Sequence, residues 1–185
     1  ALLRRFGSKE RLLRAFTRRE VLRTEAVFCA APARARRPLA ELEATLRDLG
    51  RRLGEADALA AYLAFLHTEM RDPEGRALLA GAWRTCVEAF RRWIAAAQAA
   101  GELDVAPGLE VALAERARVA LDGALMGWTL VRRGRLEDWL VAQVLAVLEP
   151  HVPAGTSPWT PERCEPTPAV DPWRPPAGGE EGGRT

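Results

Sequence analysis

Apolar residues recur at intervals of three and four along most of the chain, and glycines and prolines punctuate the pattern at a few places. Leu39, Leu42, Leu46 and Leu49 form one such stripe, with Pro38 suited to the first turn and Gly50 placed to weaken or end the helix. A second helix is expected over about 57–71, where Leu59, Tyr62, Leu63, Leu66 and Met70 share a face and His67 lies near its edge. Asp72-Pro73-Glu74 then reads as a helix start, with a capping carboxylate, a proline at the first position and an acid in the first turn. The helix it opens runs to about Ala100 on Leu79, Ala82, Trp83, Cys86, Phe90, Trp93, Ile94 and Ala97, and Gly101 stops it.

Residues 101–107 read as a loop, and Pro107 is expected to begin a helix lasting to about Arg133. Its stripe takes in Leu109, Ala112, Leu113, Val119, Ala120, Gly123, Ala124, Gly127 and Leu130. A glycine inside a helix costs about 1 kcal/mol against alanine, so two of them beside alanines point to a neighbouring helix that comes very close. Gly134 ends this element. A last helix over about 136–149 carries Leu136, Trp139, Leu140, Gln143, Val144 and Val147, and Pro150 closes it.

Two flanking stretches differ from this body. From Ser8 to about Ala30, Leu12, Leu13, Phe16, Val21, Val27 and Phe28 support one long helix, which Pro32, the basic run from Arg34 to Arg37, and Pro38 interrupt. Residues 153–185 hold eight of the 13 prolines and five glycines with almost no aliphatic side chains, a composition that cannot bury enough apolar surface to order itself. The expected fold is therefore all-α, a bundle of about six helices with a disordered C-terminal tail. Its divisions are 1–30 (end of a head plus linker helix), 31–152 (helical body) and 153–185 (tail).

Composition sharpens this picture in two ways. Alanine, leucine and arginine dominate and isoleucine is nearly absent, which favours helix over sheet. The formal net charge of the 185 residues is only +2, so the body is no general attractor of nucleic acid. The basic excess is local: Arg4, Arg5, Lys9, Arg11, Arg14, Arg18, Arg19 and Arg23 face only Glu10 and Glu20 across that stretch. Three scattered cysteines, Cys29, Cys86 and Cys164, have no metal-ligand spacing and fit a reduced, cytoplasmic setting. No apolar run is long enough to cross a bilayer, so no membrane partner is expected.

No catalytic chemistry is nominated. His67 and His151 are the two histidines, and neither the cysteines nor the serines are spaced to work with them. No cofactor or metal is implied. A pocket between helices is the better expectation, since such pockets are lined by apolar and aromatic groups with a few polar ones to orient a ligand. Candidates are Tyr62, Leu66, Met70, Trp83, Cys86, Phe90, Trp93 and Trp128, with His67 and Arg116 as polar members, although the same spacing describes plain core. Arg116 falls between Ala112 and Val119-Ala120, where a partly buried guanidinium needs a carboxylate from Glu88, Glu69 or a ligand. Cys86 in an apolar stripe is either a thiol sensor or an inert core residue.

The first residues carry the one motif. Leu2-Leu3-Arg4-Arg5-Phe6-Gly7-Ser8-Lys9-Glu10 reads as a helix end, a turn in which Gly7 is left-handed, and a helix start capped by Ser8. Basic neighbours beside a helix N-terminus make a seat for a phosphate. The string from Leu3 to Glu10 resembles the end of the DNA-binding head of TetR-family one-component transcriptional regulators, with Leu3 where a tyrosine is commonest. That resemblance implies phosphate contacts from Arg4, Arg5, Ser8 and Lys9. It also implies a base-reading helix ahead of Ala1, which is not a methionine, and the chain therefore looks truncated at its start. It further implies operator DNA as partner (if that head is present), a small hydrophobic effector in the body, and a homodimer built on the last two helices. Ala120, Gly123, Ala124, Gly127, Trp139, Leu140 and Val144 are the interface candidates, and packing within one chain explains them equally well. The alternative is a dimeric ligand-binding or protein-interaction module that does not read DNA.

Overall fold

A computed structural model describes residues 36–156 together with Gly7, Leu12, Ala15 and Arg19. Arg4, Arg5, Ser8, Lys9, most of the expected linker helix, Cys29, Cys164 and the tail beyond Thr156 lie outside the described residues. Gly7 has the φ of 76° that a left-handed turn requires, and Leu12, Ala15 and Arg19 are helical.

The described body is all-α. Its five helices are α1 (Pro38–Leu53), α2 (Ala56–Glu69), α3 (Pro73–Ala99), α4 (Glu110–Val131) and α5 (Leu136–Leu148), and a single 3-10 turn spans Glu149–His151. Each expected body helix is present, with several boundaries shifted. Gly50 does not end α1, which runs on to Leu53. Pro107 does not start α4: Ala106 to Leu109 form a turn in which Gly108 has φ 88°, and the Glu110 carboxylate accepts the Gly108 N–H at 2.9 Å. The last helix stops at Leu148, and Pro150 sits inside the 3-10 turn that follows.

Sequence explains where the helices begin. The Asp72 carboxylate accepts the Gly75 N–H at 2.8 Å, and Pro73 occupies the first position of α3. Replacing Asp72 with alanine is expected to cost about 1 kcal/mol, read as a lowered midpoint in urea with an unchanged slope. Arg37 offers α1 no side-chain cap. Instead Glu102, 63 residues on, accepts the Leu39 N–H at 2.8 Å and puts a negative charge at that helix start. The loop holding Glu102 is itself anchored. Leu103 and Val105 are buried, the Gln98 side chain donates to the Val105 carbonyl, and the Asp104 N–H donates to the His151 carbonyl at 2.7 Å.

One core joins the elements. Leu39, Leu42, Leu46 and Leu49 of α1 meet Phe90, Trp93, Ile94 and Ala97 of α3, the inner face of α4, and Leu136, Leu140, Val144 and Leu148 of α5. The closest approach is at Gly50, where an added Cβ would stand 2.4 Å from the Glu137 Cα. Arg47 bridges the same crossing, binding Glu43 on its own helix and Asp138 on α5. The second helix packs chiefly on α4. Leu59 is its buried apolar anchor, and Asp57 holds Arg132, which ends α4 in a left-handed conformation.

Candidate functional site

The structure divides the expected ligand-lining residues into three groups. Cys86, Phe90, Trp93 and Trp128 are buried in the common core. Tyr62 and Leu66 are half-buried on α2, and Trp83 is half-buried on α3. His67, Met70 and Arg116 point outward. The ten residues therefore do not converge on one cavity among the described residues.

Arg116 is the clearest correction. The buried face of α4 consists of Leu113, Ala114, Ala117, Leu121, Ala124 and Trp128. Each step along a helix turns the side chain by about 100°, so a residue next to Ala117 lies well off that face. The expected stripe had merged two rows, one inward through Leu113 and Ala117, the other outward through Ala112, Arg116, Val119, Gly123 and Leu130. The arginine of α4 that is mostly buried is Arg118, which binds Asp122 one turn on. Burial lifts the Asp122 carboxyl above its ordinary range, against the opposing pull of Arg118. Glu88, offered as a partner for Arg116, pairs with Arg91 instead, and Glu69 is buried at the end of α2 beside Gly75.

Interface candidates also separate. Ala124, Leu140 and Val144 are buried in the chain's own core and are unavailable to a second copy. Gly127 lies against Trp139, whose ring is 3.7 Å from where a Cβ would be, an ordinary contact. Gly123 has open space beside it. The very close neighbour expected at these two glycines is absent from the described body; the tight crossing belongs to Gly50. Helical glycine is unfavourable by about 1 kcal/mol, and within one chain nothing offsets that cost at Gly123.

Around Gly123 three large apolar side chains are exposed, next to the charged Arg116 and Asp122. Val119 is 61% exposed, Met126 59% and Leu130 78%. A helix hydrophobic on two opposite faces, one of them already buried, presents the other to a partner. At the other flank, α3 and α4 enclose an open groove of about 300 Å³. Trp83, Val87 and Val111 give it an apolar lining, and Arg84, Glu88, Arg91 and Glu115 are its charged members. Sequence reasoning missed this groove because its halves are separated by the whole loop between α3 and α4.

In the core, the Trp93 indole N–H is buried without a hydrogen-bond partner, as is that of Trp139. Such donors cost free energy when left unpaired. Among the described residues no three potential metal ligands cluster, and no helix is long and apolar enough to cross a membrane. No family model matches the chain, and no curated protein or solved structure matches it either.

Proposed function

We propose that this chain is the regulatory part of a TetR-like one-component transcriptional regulator, a repressor acting as a cytoplasmic homodimer and carrying out no catalysis. A small hydrophobic effector bound in the helical body would favour the conformation that releases operator DNA. Tight binding alone would shift nothing; the effector must prefer one conformation.

The observation that carries this reading is the pairing of the Leu3 to Glu10 string with a body whose penultimate helix exposes Val119, Met126 and Leu130 around an open Gly123. The first supplies a phosphate seat and the second a face for a second subunit. For the effector, we propose the groove between α3 and α4, on which Trp83 opens.

The test uses the full-length protein, including whatever precedes Ala1. Reversing charge at Arg5 and Lys9 (R5E with K9E) is expected to abolish retention of DNA in a mobility-shift assay while the oligomeric state is unchanged. Retention by the unaltered protein should fall steeply with salt, because each neutralised phosphate releases counterions. DNA binding that survives the double charge reversal removes the motif assignment, and with it the regulator reading.

A further inference from the structure

Twenty-nine residues follow Thr156, and the point from which they leave the body is fixed. Val152 packs against the core, the Asp104 N–H donates to the His151 carbonyl at 2.7 Å, and a turn closes from Thr156 to the Pro153 carbonyl. Asp104 in turn lies seven residues before Val111, where the α4 wall of the groove begins. We infer that the chain's own segment Asp171-Pro172-Trp173-Arg174-Pro175-Pro176, which lies outside the described residues, docks in the groove between α3 and α4 and sets the Trp173 ring against Trp83, Val87 and Val111. The inference stands on the groove and the tail sequence, and not on the regulator reading above.

Reach, backbone preference and charge all select this segment. With both connecting stretches taken as fully extended, Thr156 and Val111 are at most about 50 Å apart, and the turn from Ala106 to Leu109 shortens that span. The chain from Thr156 to Trp173 covers about 53 Å as polyproline II, whereas the stretch to Trp159 covers only about 9 Å. Pro172, Pro175 and Pro176 favour the extended conformation in advance, and proline-rich strands of this kind dock in aromatic-lined grooves at low ordering cost. Within the groove, Arg91 and Glu88 bind each other. Arg84 on the α3 wall and Glu115 on the α4 wall make no ion pair among the described residues. Polyproline II repeats every three residues, which puts Asp171 and Arg174 on one edge about 9 Å apart, and packed helices stand about 8–10 Å apart. Asp171 therefore meets Arg84 and Arg174 meets Glu115, with Trp173 between them over the apolar lining. The surroundings of Trp159, Ser157-Pro158-Trp159-Thr160, carry neither charge. A ligand entering the groove has to displace the segment, which lowers its apparent affinity by the fraction of time the groove stands open.

Fluorine NMR of the full chain labelled with 5-fluorotryptophan tests the docking, with the resonances of the six tryptophans assigned by single replacements. W173A is expected to shift the Trp83 resonance and to leave those of the buried Trp93 and Trp128 in place, which reports an intact core. W159A should remove its own signal and move no other. R84D should lower the docking equilibrium constant by about threefold, and D171R added to R84D should restore it. A Trp83 resonance that is the same in W173A and in the original chain overturns the docking. A Trp83 shift caused by W159A in place of W173A overturns the choice of segment, and a double variant that recovers nothing overturns the pairing of Asp171 with Arg84. A W173A effect that fades on dilution belongs to the tail of a second copy and overturns the contact within one chain. The DNA retention of R5E with K9E is a separate readout, so the failure of either reading is told apart from that of the other.

Discussion

Replacing Gly50 with alanine is expected to destabilise the fold by about 3 kcal/mol. The added methyl would lie 2.4 Å from the Glu137 Cα, 2.6 Å from its N and 2.7 Å from its Cβ. These are backbone or near-backbone atoms, so no rotamer change relieves the clash. Either α1 and α5 move apart, loosening Leu46 and Leu49 against α5, or the ends of both helices bend. Movement also strains the bridge from Arg47 to Asp138. The sign is informative, because alanine is the better helix former by about 1 kcal/mol. An alanine variant with a higher urea midpoint would mean that the two helices have room to spare, and the crossing described above would be wrong.

Phe90 to alanine should be at least as damaging, at about 4 kcal/mol. Phe90 is fully buried in the core that joins α1, α3, α4 and α5. Its removal leaves a hole whose walls are fixed by four helices and can collapse only in part. Equilibrium denaturation in urea measures the loss. The matched comparison is His67 to alanine on the exposed face of α2, expected to change stability by less than about 0.5 kcal/mol. If Phe90 to alanine cost as little as His67 to alanine, α3 would not be the centre of this fold.

Periodicity made most of the body legible. The leucine stripe of α1, the capping by Asp72 and the inward run from Cys86 to Ala97 all follow from spacing and local chemistry, and all appear in the structure. It failed on α4, where two apolar rows run along opposite faces of the helix. Spacing cannot tell which row is covered by the chain itself and which is left for something else. That choice is made by packing against α3 and α5, and Arg116 changed sides with it. Gly50 misled for a related reason. A glycine that lowers helix propensity and a glycine that admits a neighbouring backbone look identical until the neighbour, 87 residues away at Glu137, is in place. The groove beside Trp83 was illegible because nothing local marks a seam between distant segments. The motif at the start of the chain is a sequence observation throughout.

The contact between α1 and α5 has a consequence for how the chain is made. Arg47 and Asp138 are 91 residues apart in sequence. At synthesis rates of about 5–20 residues per second, α1 waits roughly 5–18 seconds before its partner helix exists. Throughout that time Leu39, Leu42, Leu46 and Leu49 lack the cover of α5 and have at most that of α3. The later helices have no such delay, since α4 and α5 are separated by a short turn. The nascent chain is thus most exposed to chaperones and proteases at its α1 segment, and a ribosome stalled before Leu136 would hold a protein without a lid on its core.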